Sequence, residues 1–172
     1  MREADERARF EAACLPYLDA AHNLARWLTR DEQEAQDMVQ EAFLRAWKSF
    51  AGFYGTDGRT WLLAIVRNTC YSWLEKKRTR APVAAFDERL HGVAAGEREP
   101  SSLLERQETG QSVRQAVEDL PDELREVIVL RELQGLSYKE IAAIAAIPLG
   151  TVMSRLARAR ERLHQHLLRQ SP

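Results

Sequence analysis

The chain has little cysteine, glycine or proline and no long apolar run. Of its 172 residues only 2 are cysteine, 8 are glycine and 6 are proline, which argues against a disulfide framework and against a turn-rich β fold. Cys14 and Cys70 stand far apart, without the spacing of a metal or redox motif. No apolar stretch approaches the roughly 20 residues that cross a bilayer, and the polar N-terminus lacks a signal-peptide pattern. These absences predict a cytoplasmic protein.

The residues that are plentiful favour helices. Alanine, leucine, glutamate, arginine and glutamine are common, and apolar residues recur every three or four positions, which predicts an all-α fold. The stretch 81–107 loses this periodicity and gains proline, glycine and acidic residues, so we expect a flexible linker there. The predicted architecture is therefore two small helical domains, residues 1–80 and 108–172, joined by that linker.

The net charge of −1 conceals a segregation of charge along the chain. Residues 1–58 carry a net charge of −4 and residues 81–140 a net charge of −6. Between and after these acidic blocks, residues 59–80 carry +5 and residues 141–172 carry +4. Each basic block ends a predicted helical unit and could follow a phosphate backbone, although either block alone could equally be a solvated helix face. In a compact form the acidic blocks would partly cover the basic ones.

The first unit contains a helix from Asp31 whose face opposite the apolar stripe is acidic, with Asp37 and Glu41 one turn apart. The glycine-rich segment 51–60, AGFYGTDGRT, predicts a loop that holds two aromatic residues and Arg59. A further helix is expected from Trp61 to the basic run EKKRTR. In that helix Trp61 and Trp73 are more typical of a core than of a surface that contacts DNA.

The second unit has the pattern of a helix-turn-helix. Pro121 opens a helix that Gly135 ends, and the spacing of Ser137 and Glu140 predicts a capping box at the start of the next helix. The sequence IPLG at 147–150 then forces a turn before a last helix. The outward face of that helix carries three arginines, which are Arg155, Arg158 and Arg162. Such an arrangement is typical of DNA-binding proteins.

Two stretches go beyond pattern and resemble a known family. DEQEAQDMVQEAFLRAWKSF, with TWLLAIVRNTCYSWLEKKR after the loop, resembles region 2 of bacterial sigma factors. LPDELREVIVLRELQGLSYKEIAAIAAIPLGTVMSRLARARERL resembles their region 4. The stretch between them is too short for a region 3 domain, and nothing before the first module could be a region 1.1. The arrangement is similar to the extracytoplasmic-function (ECF) group of the sigma-70 family.

The resemblance implies a factor that binds RNA polymerase core, recognises the minus-ten and minus-thirty-five promoter elements, and helps to separate the strands at the first. The expected polymerase contacts are the β′ clamp and the β flap. In the family the acidic face of the region 2.2 helix docks on the clamp coiled coil of β′. The matching positions are Asp37, Gln40, Glu41 and Leu44. Carboxylates beside an outward apolar anchor suit a basic coiled coil.

The resemblance also assigns two DNA-binding sets. The glycine-rich loop would hold a flipped base, Asn68 would contact the opened strand, and Tyr71 is the better stacking candidate. The predicted minus-ten residues are Phe53, Tyr54, Thr56, Asp57, Arg59, Arg67, Asn68, Tyr71, Lys76, Lys77 and Arg78, with Arg80 also expected to follow phosphates. The predicted minus-thirty-five residues are Thr151, Met153, Ser154, Arg155, Arg158 and Arg162. Whether Arg155 and Arg158 would pair with guanine or with phosphate stays open.

Two positions depart from the family pattern. Position 153, often basic in relatives, is Met153, so promoter preference cannot be transferred from relatives. The turn position that is often glycine or aspartate is Ala146. If Ala146 is left-handed, its conformation costs about 1 kcal/mol, which the surrounding core must offset.

Two other classes of protein compete with this interpretation. An enzyme is not indicated, because the loop FYGTDGRT lacks a P-loop signature and His164 and His166, two residues apart, fall on different sides of a helix. We therefore predict no catalytic residue, no cofactor and no metal site. A stand-alone helix-turn-helix regulator would explain the second unit but would not explain the function of the first.

The resemblance finally implies regulation. Small sigma factors of this group are usually held inactive by an anti-sigma factor, commonly membrane-anchored, that covers the polymerase-binding faces of both domains. We therefore expect a closed, sequestered arrangement and an open, polymerase-bound one.

Overall fold

The computed structural model describes residues 1–80 and 102–171, and all regular structure in these ranges is helical, which confirms the predicted fold class. The first half contains four helices, α1 (Arg2–Cys14), α2 (Leu18–Thr29), α3 (Glu32–Ser49) and α4 (Gly58–Arg80). The second half contains α5 (Ser102–Glu118), α6 (Asp122–Ile128), α7 (Tyr138–Ala145) and α8 (Leu149–Gln170).

In the first half, α2, α3 and α4 pack against one another. Buried alanines on α2 and α3 let the helices approach closely, and buried leucines on α2 and α4 fill the space between them. A short 3₁₀ turn at Leu15–Tyr17 separates α1 from α2. It contains Pro16, which cannot continue α1 as an α-helix because its ring removes the backbone donor. Helix α1 therefore ends at Cys14.

The loop before α4 is shorter than the sequence predicts. We expected it to run to Thr60, but α4 begins at Gly58, so Arg59 lies in the first helical turn. Asp57 causes the early start, because its carboxylate accepts a hydrogen bond from the Thr60 backbone N–H at 3.0 Å. Hydrogen bonds from Thr60 hold the pKa of Asp57 below its ordinary value. The predicted base-binding loop therefore ends at Asp57.

The second half starts earlier than predicted. The expected linker spans 81–107, of which residues 81–101 lie outside the described residues, and so does the flexibility predicted for them. Helix α5 begins at Ser102, inside the predicted linker. Leucine, glutamate, arginine and glutamine between 103 and 108 are all good helix formers, which favours this early start of α5.

The helix-turn-helix is formed by α7 and α8. A π-helical turn at Val129–Leu133 follows α6, and Gly135 ends it with a φ of +67°. The capping box is confirmed, since Ser137 N–H donates to Glu140 at 2.7 Å and Ser137 Oγ accepts from Glu140 N–H at 3.2 Å. In the described ranges no single helix is long and apolar enough to span a bilayer, and α7 with α8 meets those criteria only as a pair bent by 101°.

The two halves pack against each other. Helix α2 lies on α6 and α4 lies on α7. Buried residues of both halves, from Cys14 on α1 to Ala159 on α8, form one continuous apolar cluster. We call this arrangement, in which the two halves are in contact, the closed arrangement.

The turn between α7 and α8 holds a strained residue. Ala146 adopts a φ of +54° and a ψ of +46°, so the left-handed conformation considered from the sequence is confirmed. An alanine Cβ crowds the backbone there, whereas glycine has no such atom.

Ala146→Gly should raise the free energy of unfolding by about 1 kcal/mol, because it removes this strain. Ala143→Gly provides a control of opposite sign. Ala143 lies in the middle of α7 with its side chain exposed, so glycine at this position should lower the free energy of unfolding by about 1 kcal/mol. Urea unfolding followed by circular dichroism measures both. Equal destabilisation by the two variants would contradict this explanation.

Candidate nucleic-acid and polymerase interfaces

Helix α3 presents its predicted acidic face to solvent. Its inner face is lined by small buried residues, among them Val39 and Ala42, and this fixes which side of the helix is free. The four predicted polymerase contacts all lie on exposed positions of the helix, which are Asp37, Gln40, Glu41 and Leu44. Leu44 is 62% exposed, and Glu41 forms a surface ion pair with Arg45 at 2.8 Å. The face thus combines carboxylates, an amide and an unburied apolar side chain.

The loop before α4 divides its two aromatic rings between core and solvent. Phe53 packs on Trp61, with ring centroids 4.7 Å apart, and on Phe50 at 5.8 Å. Tyr54 is 91% exposed, and Thr56 beside it is also exposed. Of the two predicted loop aromatics, Tyr54 is therefore the ring that is free to stack on a base, while Phe53 holds the loop to α4.

The predicted minus-ten residues of α4 fall into two groups. Asn68 and Lys76 are exposed to solvent, and the Lys77 ammonium lies 4.6 Å from the centroid of the Trp73 ring. The other group faces the second half of the chain and consists of Arg59, Arg67, Tyr71 and Arg78. Trp61 and Trp73 are both half-buried, and Trp61 packs against the continuous apolar cluster.

Polar contacts join the second group to the acidic part of the second half. Glu126 on α6 accepts hydrogen bonds from Arg67 Nε at 2.5 Å, from Arg67 Nη2 at 3.4 Å and from Tyr71 Oη at 2.9 Å. The Arg67 guanidinium also stacks 4.0 Å from the centroid of the Tyr71 ring. Arg78 pairs with Asp122.

These contacts change the chemistry of the groups that form them. Burial, reinforced by the charge of Glu126, raises the pKa of the Tyr71 phenol, which therefore stays a hydrogen-bond donor. Burial acts to lower the pKa of Arg67, but its hydrogen bond to Glu126 and the charge of that carboxylate outweigh this effect and raise it.

Sequence reasoning missed the adjacent residues Arg125 and Glu126, whose side chains are fully buried at the contact between the halves. A signal was present in the sequence, because a charged pair stands inside the otherwise apolar run LREVIVL. Helical periodicity would have placed both charges toward a neighbouring element rather than toward water.

Helix α8 exposes most of the predicted minus-thirty-five set. Met153, Ser154, Arg158 and Arg162 are exposed, and Thr151 is half-buried. The Arg155 side chain is only 15% exposed and lies 3.6 Å from the Glu123 carboxylate. Of the three predicted arginines of α8, Arg158 and Arg162 are thus the ones exposed to solvent in this arrangement.

In residues 1–80 and 102–171 no group of three or more histidine, cysteine, aspartate or glutamate side chains could hold a metal ion. The two cysteines are free and buried. Burial raises the pKa of Cys14 to about 11 and that of Cys70 to about 12, so both thiols stay protonated at neutral pH.

Comparison with known families places a match on each half. Residues 15–80 match the family model "Sigma-70 region 2", and residues 110–163 match "Sigma-70, region 4". The RNA polymerase sigma-H factor of Pseudomonas aeruginosa is 36% identical over 175 aligned positions, which cover 97% of this chain and 90% of that protein. The ECF RNA polymerase sigma-E factor of Escherichia coli K12 is 38% identical over 149 positions, covering 81% of this chain and 78% of that protein.

A solved structure extends the similarity to the whole fold. It is the sigma factor RpoE of Bartonella quintana in complex with the anti-sigma factor NepR, and its superposition gives a TM-score of 0.70 at 28% identity. The superposition covers 95% of this chain and 99% of that one. Because both halves match, a stand-alone helix-turn-helix regulator is not favoured. The chain belongs to the sigma-70 family, as a sigma factor of its extracytoplasmic-function group.

Proposed function

We propose that this sigma factor binds RNA polymerase core through the exposed face of α3. The observation that carries the proposal is Leu44, an apolar side chain that is 62% exposed and lies beside Asp37, Gln40 and Glu41. An apolar anchor surrounded by carboxylates suits the basic clamp coiled coil of β′, and a merely solvated face does not require it. In this proposal the unit of residues 1–80 also captures the opened minus-ten strand. The unit of residues 108–172 contacts the β flap and recognises the minus-thirty-five element.

The chemistry of the minus-ten unit supports strand capture. Tyr54 offers a free ring, Asn68 an amide for base edges, and Lys76 a cation for the backbone, and all three are exposed. Unstacked bases bind to such aromatic and cationic surfaces more strongly than paired bases do. The loop, ending at Asp57, and the first turns of α4 are the proposed pocket for a flipped base.

The minus-thirty-five unit would insert the N-terminal part of α8 into the major groove. Exposed Ser154 and Arg158 lie on the face that such docking would turn to the bases, and Arg162 lies one turn further along. Met153 is 53% exposed and offers an apolar surface rather than a charge at its position, which fits contact with a thymine methyl group better than with phosphate.

We further infer that the protein works in the cytoplasm, as an initiation factor without a catalytic centre, and that an anti-sigma factor controls it. The similar sigma factor RpoE of Bartonella quintana was solved in complex with its anti-sigma factor NepR. A partner of that kind, membrane-anchored or not, would favour one arrangement of the two halves over the other.

Leu44→Asp should weaken binding to core polymerase about tenfold or more, since a buried anchor of an interface is typically worth about 2 kcal/mol or more. Leu168→Asp is the matched control, because Leu168 is 60% exposed and lies beyond residue 163, where the match to region 4 ends. Fluorescence anisotropy measures affinity for core, and run-off transcription on a promoter library measures function. If wild-type protein with core gave no promoter-specific transcripts, the proposed function would be wrong. If both variants lost the same affinity for core, α3 would not be part of the interface.

A further inference from the structure

Glu126 is a fully buried carboxylate, and among the residues that the structure describes its side-chain hydrogen-bond donors belong to the other half of the chain. Its three contacts come from Arg67 and Tyr71 on α4, at 2.5, 3.4 and 2.9 Å. Within the described ranges, no side chain of the second half forms an ion pair with it. A neighbouring carboxylate, Glu132, shows the contrast, because its partner Arg160 lies on α8 in the same half.

This placement serves the contact between the halves rather than the fold of the second half. A buried helix position followed by Val127 and Ile128 would be filled best by an apolar side chain if it only completed a core. A carboxylate is stable there because Arg67 and Tyr71 pair with it. When the halves separate, Glu126 returns to water and the two α4 residues lose their partner.

Arg67 and Tyr71 belong to the set that we assign to the opened minus-ten strand. A guanidinium binds carboxylate and phosphate through the same fork of N–H donors, so it cannot serve both at once. The Tyr71 ring is covered by Arg67 on one side and its hydroxyl is engaged by Glu126. Two further contacts cover the same surface, because Arg78 pairs with Asp122 and Arg59 donates to the Gln134 carbonyl.

We propose that Glu126 acts as an internal competitor of single-stranded DNA, so that the closed arrangement of the two halves and capture of the opened strand exclude each other. The inference rests on the proposed function of α4. The protein exchanges between closed molecules and molecules with separated halves, and only the latter bind the strand. The fraction of molecules with separated halves therefore sets the apparent affinity for single-stranded DNA. Binding of core polymerase or release from a partner would expose Arg67 and Tyr71 by separating the halves.

The test measures affinity of the full-length protein, without polymerase, for a short fluorescent single-stranded oligonucleotide. Glu126→Gln should raise the affinity about tenfold at fixed salt, because a weaker contact increases the competent fraction. Glu132→Gln is the matched control, since it changes the net charge equally but its carboxylate is exposed and contacts only the second half. That variant should change the affinity less than about twofold, as expected for one remote charge.

Arg67→Ala combined with Glu126→Gln should return the affinity to the wild-type value or below. Equal gains by Glu126→Gln and Glu132→Gln would overturn the proposal, because they would reflect net charge alone. So would a gain that persists without Arg67.

A second measurement does not depend on variants of Glu126. Because Cys14 and Cys70 are buried, introduced cysteines at Ala8 and Gln165, which are exposed and lie outside the proposed DNA-binding sets, can carry a fluorescent donor and acceptor. Saturating single-stranded DNA should lower the transfer efficiency between the halves. Unchanged efficiency with DNA bound would overturn the proposal.

Failure of this inference is distinguishable from failure of the proposed function. Run-off transcription with core polymerase and wild-type protein reports on the function alone. If transcripts form and depend on Arg67 while Glu126→Gln leaves strand affinity unchanged, only the competition by Glu126 is wrong. If no promoter-specific transcripts form, the assignment of α4 to the minus-ten strand is wrong as well.

Discussion

Gly58→Ala should lower the free energy of unfolding by about 3 kcal/mol, because the new methyl group would overlap fixed backbone. A Cβ at this position would lie 2.2 Å from the Ala13 carbonyl oxygen and 3.0 Å from its carbonyl carbon. Backbone atoms cannot move aside by changing rotamer, so α4 would have to shift away from the end of α1. Urea unfolding followed by circular dichroism measures the loss.

Gly150→Ala is the matched control for this substitution. Gly150 also lies in the first turn of a helix, but an added methyl group there would have no atom within 4 Å, and its φ is not positive. Alanine is the better helix former, so this variant should gain about 0.5–1 kcal/mol. If Gly58→Ala gained stability in the same way, close packing of α4 on α1 would be refuted.

Local signals in the sequence are sufficient for most helix boundaries. Pro16 breaks the first helix, Gly135 takes a positive φ, and Ser137 with Glu140 forms the predicted capping box. Each of these features depends on residues within a few positions of one another, and their geometry follows from the residue type. The buried face of α7, formed by Ile141, Ile144 and Ala145, likewise follows the period of the helix.

The start of α4 could not be predicted in the same way. Its first residue, Gly58, packs against Ala13, which is distant in sequence, and nothing local to the loop AGFYGTDGRT announces that contact. The Asp57 cap is visible in the sequence only as an Asp-Gly pair, a pattern that is equally typical of a turn. The predicted loop is therefore three residues too long at its C-terminal end.

In the candidate site, too, some features follow from local sequence and others depend on distant residues. The exposed face of α3 follows from helical period alone, because buried Val39 and Ala42 fix the opposite side. Which members of the α4 set are free does not follow, since Arg67 and Tyr71 meet Glu126 across 59 and 55 positions of sequence. The resemblance supplied residue roles, whereas only the structure assigns Asn68 to solvent and Tyr71 to the contact between the halves.

The buried guanidinium of Arg125 holds together the ends of two helices. It donates to the carbonyls of Trp27 at 3.0 Å, Glu118 at 3.1 Å and Leu120 at 2.7 Å, and it pairs with Asp122. Trp27 lies in the last turn of α2, and Glu118 is the last residue of α5. Carbonyls at helix C-termini lack intrahelical donors and carry partial negative charge. A guanidinium at such a site supplies hydrogen-bond donors and a compensating positive charge. One of these two helix ends belongs to each half of the chain.

Arg125→Met should lower the free energy of unfolding by about 3 kcal/mol or more, because a residue of similar length would leave the Trp27 and Leu120 carbonyls without their donor. The Glu118 carbonyl would keep its second donor, Arg30. Arg45→Met is the control, since Arg45 forms only an exposed i,i+4 pair with Glu41 and its loss should cost about 0.3–0.5 kcal/mol. Urea unfolding gives both values. The loss of the Trp27 contact should also loosen the two halves, so Arg125→Met should lower the transfer efficiency between labels on Ala8→Cys and Gln165→Cys before global unfolding. An Arg125→Met protein as stable as the Arg45→Met control would show that these carbonyls find other donors and that Arg125 does not join the halves.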